Sequence, residues 1–174
     1  MSEKVSILID EAAIEERMIQ LGDQISHDYV GKEIHLIGVL KGSVFFLTEL
    51  AKKISVPCTV DFMAVSSYGN NTVSSGRLVI KKELDEDIKG REVILVEDIV
   101  DSGNTLARLK PMLLERKPAD LKICTLLDKP SRREADIQAD YTGFTVPDEF
   151  IVGYGLDYAQ KYRNLPYIGV LSLE

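Results

Sequence analysis

Short apolar runs alternate along this chain with longer segments whose apolar residues recur every three or four positions, and the two rhythms predict different elements. Residues 10–30 place Ile14, Met18, Leu21 and Ile25 at helical spacing among charged neighbours, the pattern of an amphipathic helix. "IHLIGVL" at 34–40 is apolar enough for a buried strand, "SVFFLTELAKKI" at 43–54 predicts a helix, and "TVDFMAVSSY" at 59–68 the next strand. Together they predict one βαβ unit. "GNNTVSSG" at 69–76 has no apolar face and predicts a mobile loop, after which "RLVIKKEL" resumes an extended alternation.

The second half repeats the rhythm. "EVILVED" at 92–98 has the continuous apolar character of a central parallel strand. "TLARLKPMLLERK" predicts its helix, with a kink or irregularity near Pro111, because an internal proline removes a backbone hydrogen bond and crowds the preceding turn. "LKICTLLD" at 121–128 predicts another strand, and 130–147 reads as a polar connection. The remaining residues, from "DEFIVGYGLDY" onward, are too few for a second domain and are expected to fold back over one end of the sheet. The alternation of strands and helices predicts a single α/β domain over 1–174 with a mainly parallel central sheet.

Composition narrows the function classes. Lys plus Arg is 21 against 28 Asp plus Glu, a net charge of −7, which disfavours a nucleic acid gripped through its phosphates. No apolar run approaches the roughly 20 residues that span a bilayer, and acids interrupt the N-terminal "MSEKVSILIDEAAIEERM", so neither a membrane span nor a secretory signal is expected and the cytoplasm is the expected location. Cys58 and Cys124 lie in apolar strand-like contexts without metal-ligand spacing and are expected to be small core residues. His27 and His35 are the two histidines, too little material for a zinc site or a histidine-based nucleophilic triad.

The chemistry concentrates in "VILVEDIVDSGNTLARL" at 93–109. Open parallel sheets bind ligands beyond the carboxyl ends of their strands. Glu97 and Asp98 stand at such an end, and the turn Asp101, Ser102, Gly103, Asn104, Thr105 leads into a helix. Free backbone N–H groups, a glycine that permits close approach and two hydroxyls suit a phosphate monoester. The acids do not suit the phosphate itself; they accept hydrogen bonds from vicinal hydroxyls or hold a hard cation such as Mg²⁺. Successive strand residues point to opposite faces, so Glu97 and Asp98 are expected to meet one ligand only where the strand ends. A ribose 5-phosphate satisfies all these groups.

This stretch resembles the phosphoribosyl pyrophosphate (PRPP) motif of the type I phosphoribosyltransferases, with Ser102 where many members carry Thr. Across nearly the whole chain, "LKGS" at 40–43, "SSY" at 66–68, "DKP" at 128–130, "DEFIVGYGLDY" at 148–158 and Arg163 are similar to the 6-oxopurine branch, the hypoxanthine-guanine phosphoribosyltransferases. The resemblance implies the fold of that family, with a small hood built from the N-terminal region and about 129–174. It implies transfer of the 5-phosphoribosyl group from PRPP to hypoxanthine, with guanine as a second base, in purine salvage, with Mg²⁺ held by Glu97, Asp98 and Asp157.

By the same resemblance Asp101 is the general base, and Glu97, Asp98 and Asp101 through Thr105 bind the ribose 5-phosphate. Leu40, Lys41, Gly42 and Arg163 bind pyrophosphate, often with a cis peptide before the Lys. Lys129 donates to the purine oxygen, Phe150 stacks on the base, Ile151 and Asp157 read its edge, and Ser67 and Tyr68 open a closing lid. A homodimer or homotetramer is implied. Taken singly, each residue has a plainer reading: Asp101 a helix cap, Lys129 and Arg163 surface charges, Phe150 a core aromatic. Two other functions remain open at this point, a nucleotide-sensing RNA-binding regulator on the same fold and a phosphoribosyltransferase for xanthine or uracil.

Overall fold

A computed structural model of the protein describes residues 2–67 and 78–174. Among these residues, six strands form the central sheet: β2 (Ile34–Val39), β3 (Cys58–Ser67), β4 (Leu78–Lys82), β5 (Glu92–Val100), β6 (Asp120–Asp128) and β7 (Tyr141–Thr145). Their order is β4-β3-β2-β5-β6-β7, parallel throughout except for β4, which runs antiparallel to β3. A second sheet, antiparallel in the order β1-β9-β8, joins the two ends of the chain through β1 (Glu3–Ile9), β8 (Ile151–Val152) and β9 (Ile168–Leu173).

Helices cover both faces of the central sheet, which is why its strands are apolar on both sides. Ile34, Leu36, Ile94 and Val96 pack with α1 (Glu11–Asp28) and α2 (Val44–Lys52), and the second sheet adds Ile151 and Ile168 to that core. Ile37, Val39, Val93 and Leu95 face the other way, against Leu106, Leu109 and Leu113 of α3 (Asn104–Leu114). The first helix starts where Asp10 accepts a hydrogen bond from the Ala13 N–H at 2.8 Å, and loss of such a cap costs about 1 kcal/mol.

Two polar side chains lie inside the β2–β3 layer. Asp61 accepts the N–H groups of Phe62, Asp85 and Glu86 at 2.7, 2.9 and 3.0 Å and so fastens the segment before β5. His35 pairs its Nδ1 with the Thr59 hydroxyl at 2.8 Å, while its Nε2 stands 4.0 Å from Asp61 with no hydrogen-bond partner. Burial, with Arg91 adding to it, pushes the His35 pKa below the ordinary imidazole value.

The strands and helices expected from the pattern all form, with additions and differences. β1, β7, β8 and β9 are additional strands. The β7 segment "YTGFT" is an edge strand in which Gly143 lets the backbone close on Leu126, where a Cβ would lie 2.4 Å from the Leu126 carbonyl oxygen. The third helix runs through Pro111 and stops at Leu114, less than one turn later. Cys124 is buried, as expected, and burial pushes its thiol up to about 12, whereas Cys58 opens β3 only partly buried, packed against the core rather than inside it. No helix among the described residues is long and apolar enough to cross a membrane.

Candidate active site

The end of β5 and the turn after it enclose a cavity of about 260 Å³, lined among others by Glu97, Asp98, Asp101, Ser102, Gly103 and Thr105. Sequence reasoning expected Glu97 and Asp98 to share a ligand only if the strand ended there, and this is corrected: β5 continues to Val100. What ends is its pairing with β2, which stops at Gly38↔Val96, while pairing with β6 continues through Val100↔Asp128. Beyond Val96 one edge of β5 is therefore open, and carboxylates leaving opposite faces both reach the cavity.

Glu97 is 8% exposed, and its Oε1 is buried without a hydrogen-bond partner. Burial and then the neighbouring Asp98 charge raise the Glu97 pKa well above the carboxylate range, and burial raises that of Asp98. The pair is a site short of hydroxyl donors or a cation, which is the chemistry of a diol with a hard metal ion. Among the described residues no three His, Cys, Asp or Glu side chains converge as a ready-made metal cage; Mg²⁺ is ordinarily held by one or two carboxylates plus substrate oxygens and water.

The turn itself is held from behind. Gly103 has a left-handed backbone (φ 81°), and a Cβ there would lie 2.6 Å from Ile137 Cγ2, so both space and conformation favour glycine. Glu134 and Ala135 donate their N–H groups to the Ser102 carbonyl at 2.9 and 3.0 Å. Asn104 donates its side-chain amide to Glu134 at 2.8 Å, away from a ligand role in this state. Arg133, which sequence reasoning missed, donates to the Asp101 carbonyl at 3.1 Å and to that of Ile137 at 2.8 Å, and pairs with Asp128.

On the opposite flank the Leu40–Lys41 peptide is cis. A Cβ on Gly42 would lie 1.8 Å from Asp98 Oδ2, and one on Gly155 (φ 104°) would lie 2.1 Å from the Gly42 carbonyl oxygen, so three distant segments meet through bare backbone. Lys41 Nζ donates to the Gln160 side-chain oxygen at 3.2 Å, and Arg163 reaches the same oxygen at 3.3 Å. Arg163 also donates to the Gly155 carbonyl at 2.6 Å and pairs with Asp157 at 3.3 Å. Leu40, Lys41, Gly42 and Arg163 thus converge; Asp157 stands with Arg163, and Gln160, unmarked in the sequence reading, links the two cations.

A second cavity of about 380 Å³ is lined by Asp101, Lys129, Arg132, Glu149, Phe150 and Ile151, among others. Lys129 is 6% exposed and donates to the Glu149 carbonyl at 2.8 Å, which sets aside its reading as a solvated surface charge. Phe150 is 52% exposed and meets Tyr158 edge-on, ring centroids 5.6 Å apart, so it is not a core aromatic. Arg132 pairs with Asp148 at 2.8 Å on the rim. Asp101 lines both this cavity and the first. Ser67 ends β3, while Tyr68 and the expected lid at 69–76 fall outside the described residues.

An open sheet that carries a phosphate-type turn beside an acidic pair, with a second cavity opening from the same aspartate, defines a nucleotide-handling α/β protein. Residues 5–159 match the family described as phosphoribosyl transferase domain. The chain is 50% identical over 175 residues to the hypoxanthine phosphoribosyltransferase of Salmonella typhimurium, covering 99% of this chain and 98% of that protein. It is 54% identical over 168 residues to the hypoxanthine-guanine phosphoribosyltransferase of Streptococcus pneumoniae, covering 97% and 93%. A crystal structure of a Bacillus anthracis hypoxanthine-guanine phosphoribosyltransferase, with a HEPES molecule in its active site, superposes with a TM-score of 0.92 at 46% identity over 99% of this chain and 100% of that one. This chain belongs to the phosphoribosyltransferase family, and its mainly parallel sheet flanked by helices is the fold of that family.

Proposed function

We propose that the protein transfers the 5-phosphoribosyl group of PRPP to N9 of hypoxanthine, and of guanine as a second base, releasing pyrophosphate and the nucleoside monophosphate in purine salvage. The observation that carries this reading is the position of Asp101 on the wall common to the two cavities. One cavity offers the phosphate turn and the acidic pair; the other offers a buried Lys and an exposed Phe.

The 5-phosphate sits on the turn Ser102–Thr105, against N–H groups and hydroxyls at the start of α3. Glu97 and Asp98 accept from the ribose 2- and 3-hydroxyls and stabilise positive charge on the sugar as the pyrophosphate leaves. Mg²⁺ fits the unsatisfied Glu97 oxygen and its neighbour, and when bound supplies charge neutralisation for the pyrophosphate. Asp157 is the third proposed metal contact, directly or through water. Lys41, the backbone of Leu40 and Gly42, and Arg163 hold the pyrophosphate; Lys41 and Arg163 are already brought to one acceptor by Gln160.

In the second cavity Lys129 donates to the 6-oxo group, with a spare N–H beside its bond to Glu149. Phe150 stacks on the purine, and backbone groups at Ile151 and Asp157 read its edge. Asp101 takes or shares the proton at N7 while N9 attacks the anomeric carbon. Residues 1–174 act as one domain, with the second sheet and about 129–174 as the hood over the base. The protein works in the cytoplasm as a homodimer or homotetramer, without nucleic-acid or membrane partners.

The test is initial rate with PRPP and Mg²⁺ against hypoxanthine, guanine, xanthine and uracil. Formation of the 6-oxopurine monophosphates with equimolar pyrophosphate is expected. Turnover of xanthine or uracil alone would move the assignment to another base. No turnover of any base, with PRPP still bound and RNA retarded in a salt-dependent way, would replace the enzyme with a regulator.

A further inference from the structure

The N-terminal strand carries a side chain with no place in the chemistry above and a continuous path to it. Both Glu3 carboxylate oxygens accept from Lys161 Nζ, at 2.8 and 2.9 Å, and one also accepts from the Tyr162 hydroxyl. Lys161 Nζ lies over the rings of Tyr158 and Tyr162, 5.9 and 5.6 Å from their centroids, within cation–π range. Tyr158 in turn sets its ring at 89° to that of Phe150 in the base cavity. Backbone follows the same route: β1 pairs with β9, β9 pairs with β8, and the Leu171 N–H donates to the Phe150 carbonyl at 2.9 Å.

The receiving segment is one that needs holding. Ala159, Gln160 and Tyr162 all have left-handed backbones, with φ of 50°, 68° and 77°, a conformation that non-glycine residues adopt only where neighbours enforce it. Tyr158 and Lys161 close the turn by exchanging N–H···O bonds at 3.1 and 2.9 Å, and Glu3 holds the closing residue Lys161 and Tyr162 after it. Glu3 is itself fixed, because Ser2 and Glu174 exchange backbone hydrogen bonds at 2.8 and 2.9 Å beside it. The bonds from Lys161 and Tyr162 hold its carboxyl below the usual range, so it is ionised at neutral pH.

We infer that Glu3 is a positioning residue for the purine, acting through Lys161 and Tyr158 on the ring of Phe150 that stacks on the base. The inference rests on the proposed phosphoribosyl transfer, since Phe150 meets a purine only in that reading. Its consequence is a separation of effects. Glu3 touches neither the phosphate turn nor Lys41, and it reaches the pyrophosphate group only through the shared turn, where Gln160 links Lys41 and Arg163, so its loss loosens the base site more than the PRPP site.

The experiment is steady-state kinetics of wild type, Glu3→Gln, Lys161→Met and the double variant, with hypoxanthine and PRPP varied in turn, together with calorimetric binding of IMP and thermal melting of each protein. Glu3→Gln is expected to raise the KM for hypoxanthine and the Kd for IMP about two- to fivefold, the scale of one exposed ion pair, with a smaller rise in the KM for PRPP. Lys161→Met should do the same, and the double variant no more than either, since both break one path. Equal KM values for hypoxanthine in wild type and Glu3→Gln, or a rise in the KM for PRPP of the same size, would overturn the inference while the function stands. A wild-type protein that neither transfers to hypoxanthine nor binds IMP would remove the function and the inference with it.

Discussion

The two cavities are built in contrasting ways. The proposed phosphate turn is one contiguous stretch, Glu97 to Thr105, that holds a strand end, two hydroxyls, a glycine and a helix start. The proposed base cavity gathers Asp101 from one loop, Lys129 from just after β6, and Phe150 and Ile151 from the segment entering β8, brought together by two sheets. A phosphate is recognised mainly by local backbone geometry, which a short sequence encodes by itself. A purine needs a donor, a stacking ring and a base aimed at different parts of one plane, which a single turn does not supply. The contrast predicts that damage to the first site follows local geometry, and damage to the second follows single side chains.

The sharpest break comes at Gly42, which lies on the phosphate side although it is far from the turn in sequence. Gly42→Ala would place a methyl group 1.8 Å from the Asp98 carboxylate oxygen. Displacing that carboxylate by an ångström is expected to lower kcat/KM for PRPP about 10²-fold, with the KM for hypoxanthine changed far less. Steady-state kinetics against PRPP checks it; an equal loss on both sides would mean that the two sites are not separable.

On the base side, Lys129→Met keeps most of the apolar stem of the side chain and removes the donor. A hydrogen bond from a charged group is worth about 1.5–3 kcal/mol, so the KM for hypoxanthine is expected to rise about 10- to 100-fold while the KM for PRPP holds. Because Lys129 also donates to the Glu149 carbonyl, the melting temperature should fall slightly in the same variant.

A smaller effect lies away from both cavities. The buried His35 is held neutral below the ordinary imidazole pKa, which in an unfolded chain is about 6.5. Between that value and the lower folded one, the unfolded chain binds the extra proton, so stability falls as pH drops through this window and levels off below it. His35→Gln keeps a partner for the Thr59 hydroxyl and lacks the titration, so its melting temperature should decline less than that of wild type between pH 7 and 5. Parallel declines would assign the acid sensitivity to other groups.

The same contrast explains what could be read from the chain. The central strands and their helices are legible because burial on both faces leaves continuous apolar runs at β2, β5 and β6. β7 was not, since "YTGFT" is a short edge strand whose fit depends on Gly143 meeting the Leu126 backbone, a long-range contact. β1 was not, since it pairs with the far end of the chain and leaves Ile7 61% exposed, so it has no clean inside and outside. In the site, the turn is legible as chemistry from its residues alone, whereas Lys41, Lys129, Phe150 and Arg163 gain meaning only from family resemblance. Arg133 and Gln160 escaped both readings: each acts through backbone carbonyls or other side chains and carries no local signature.

Asp101 is where the two constructions meet, and the most direct measurement is made there. Turnover of hypoxanthine and binding of PRPP and IMP should be measured side by side for wild type and Asp101→Asn. Removing a general base is expected to lower kcat about 10²- to 10⁴-fold, with the Kd values for PRPP and IMP changed only a few-fold, since the turn and the base cavity both remain. Full turnover in the variant, or a loss of PRPP binding large enough to account for the whole defect, would contradict the account.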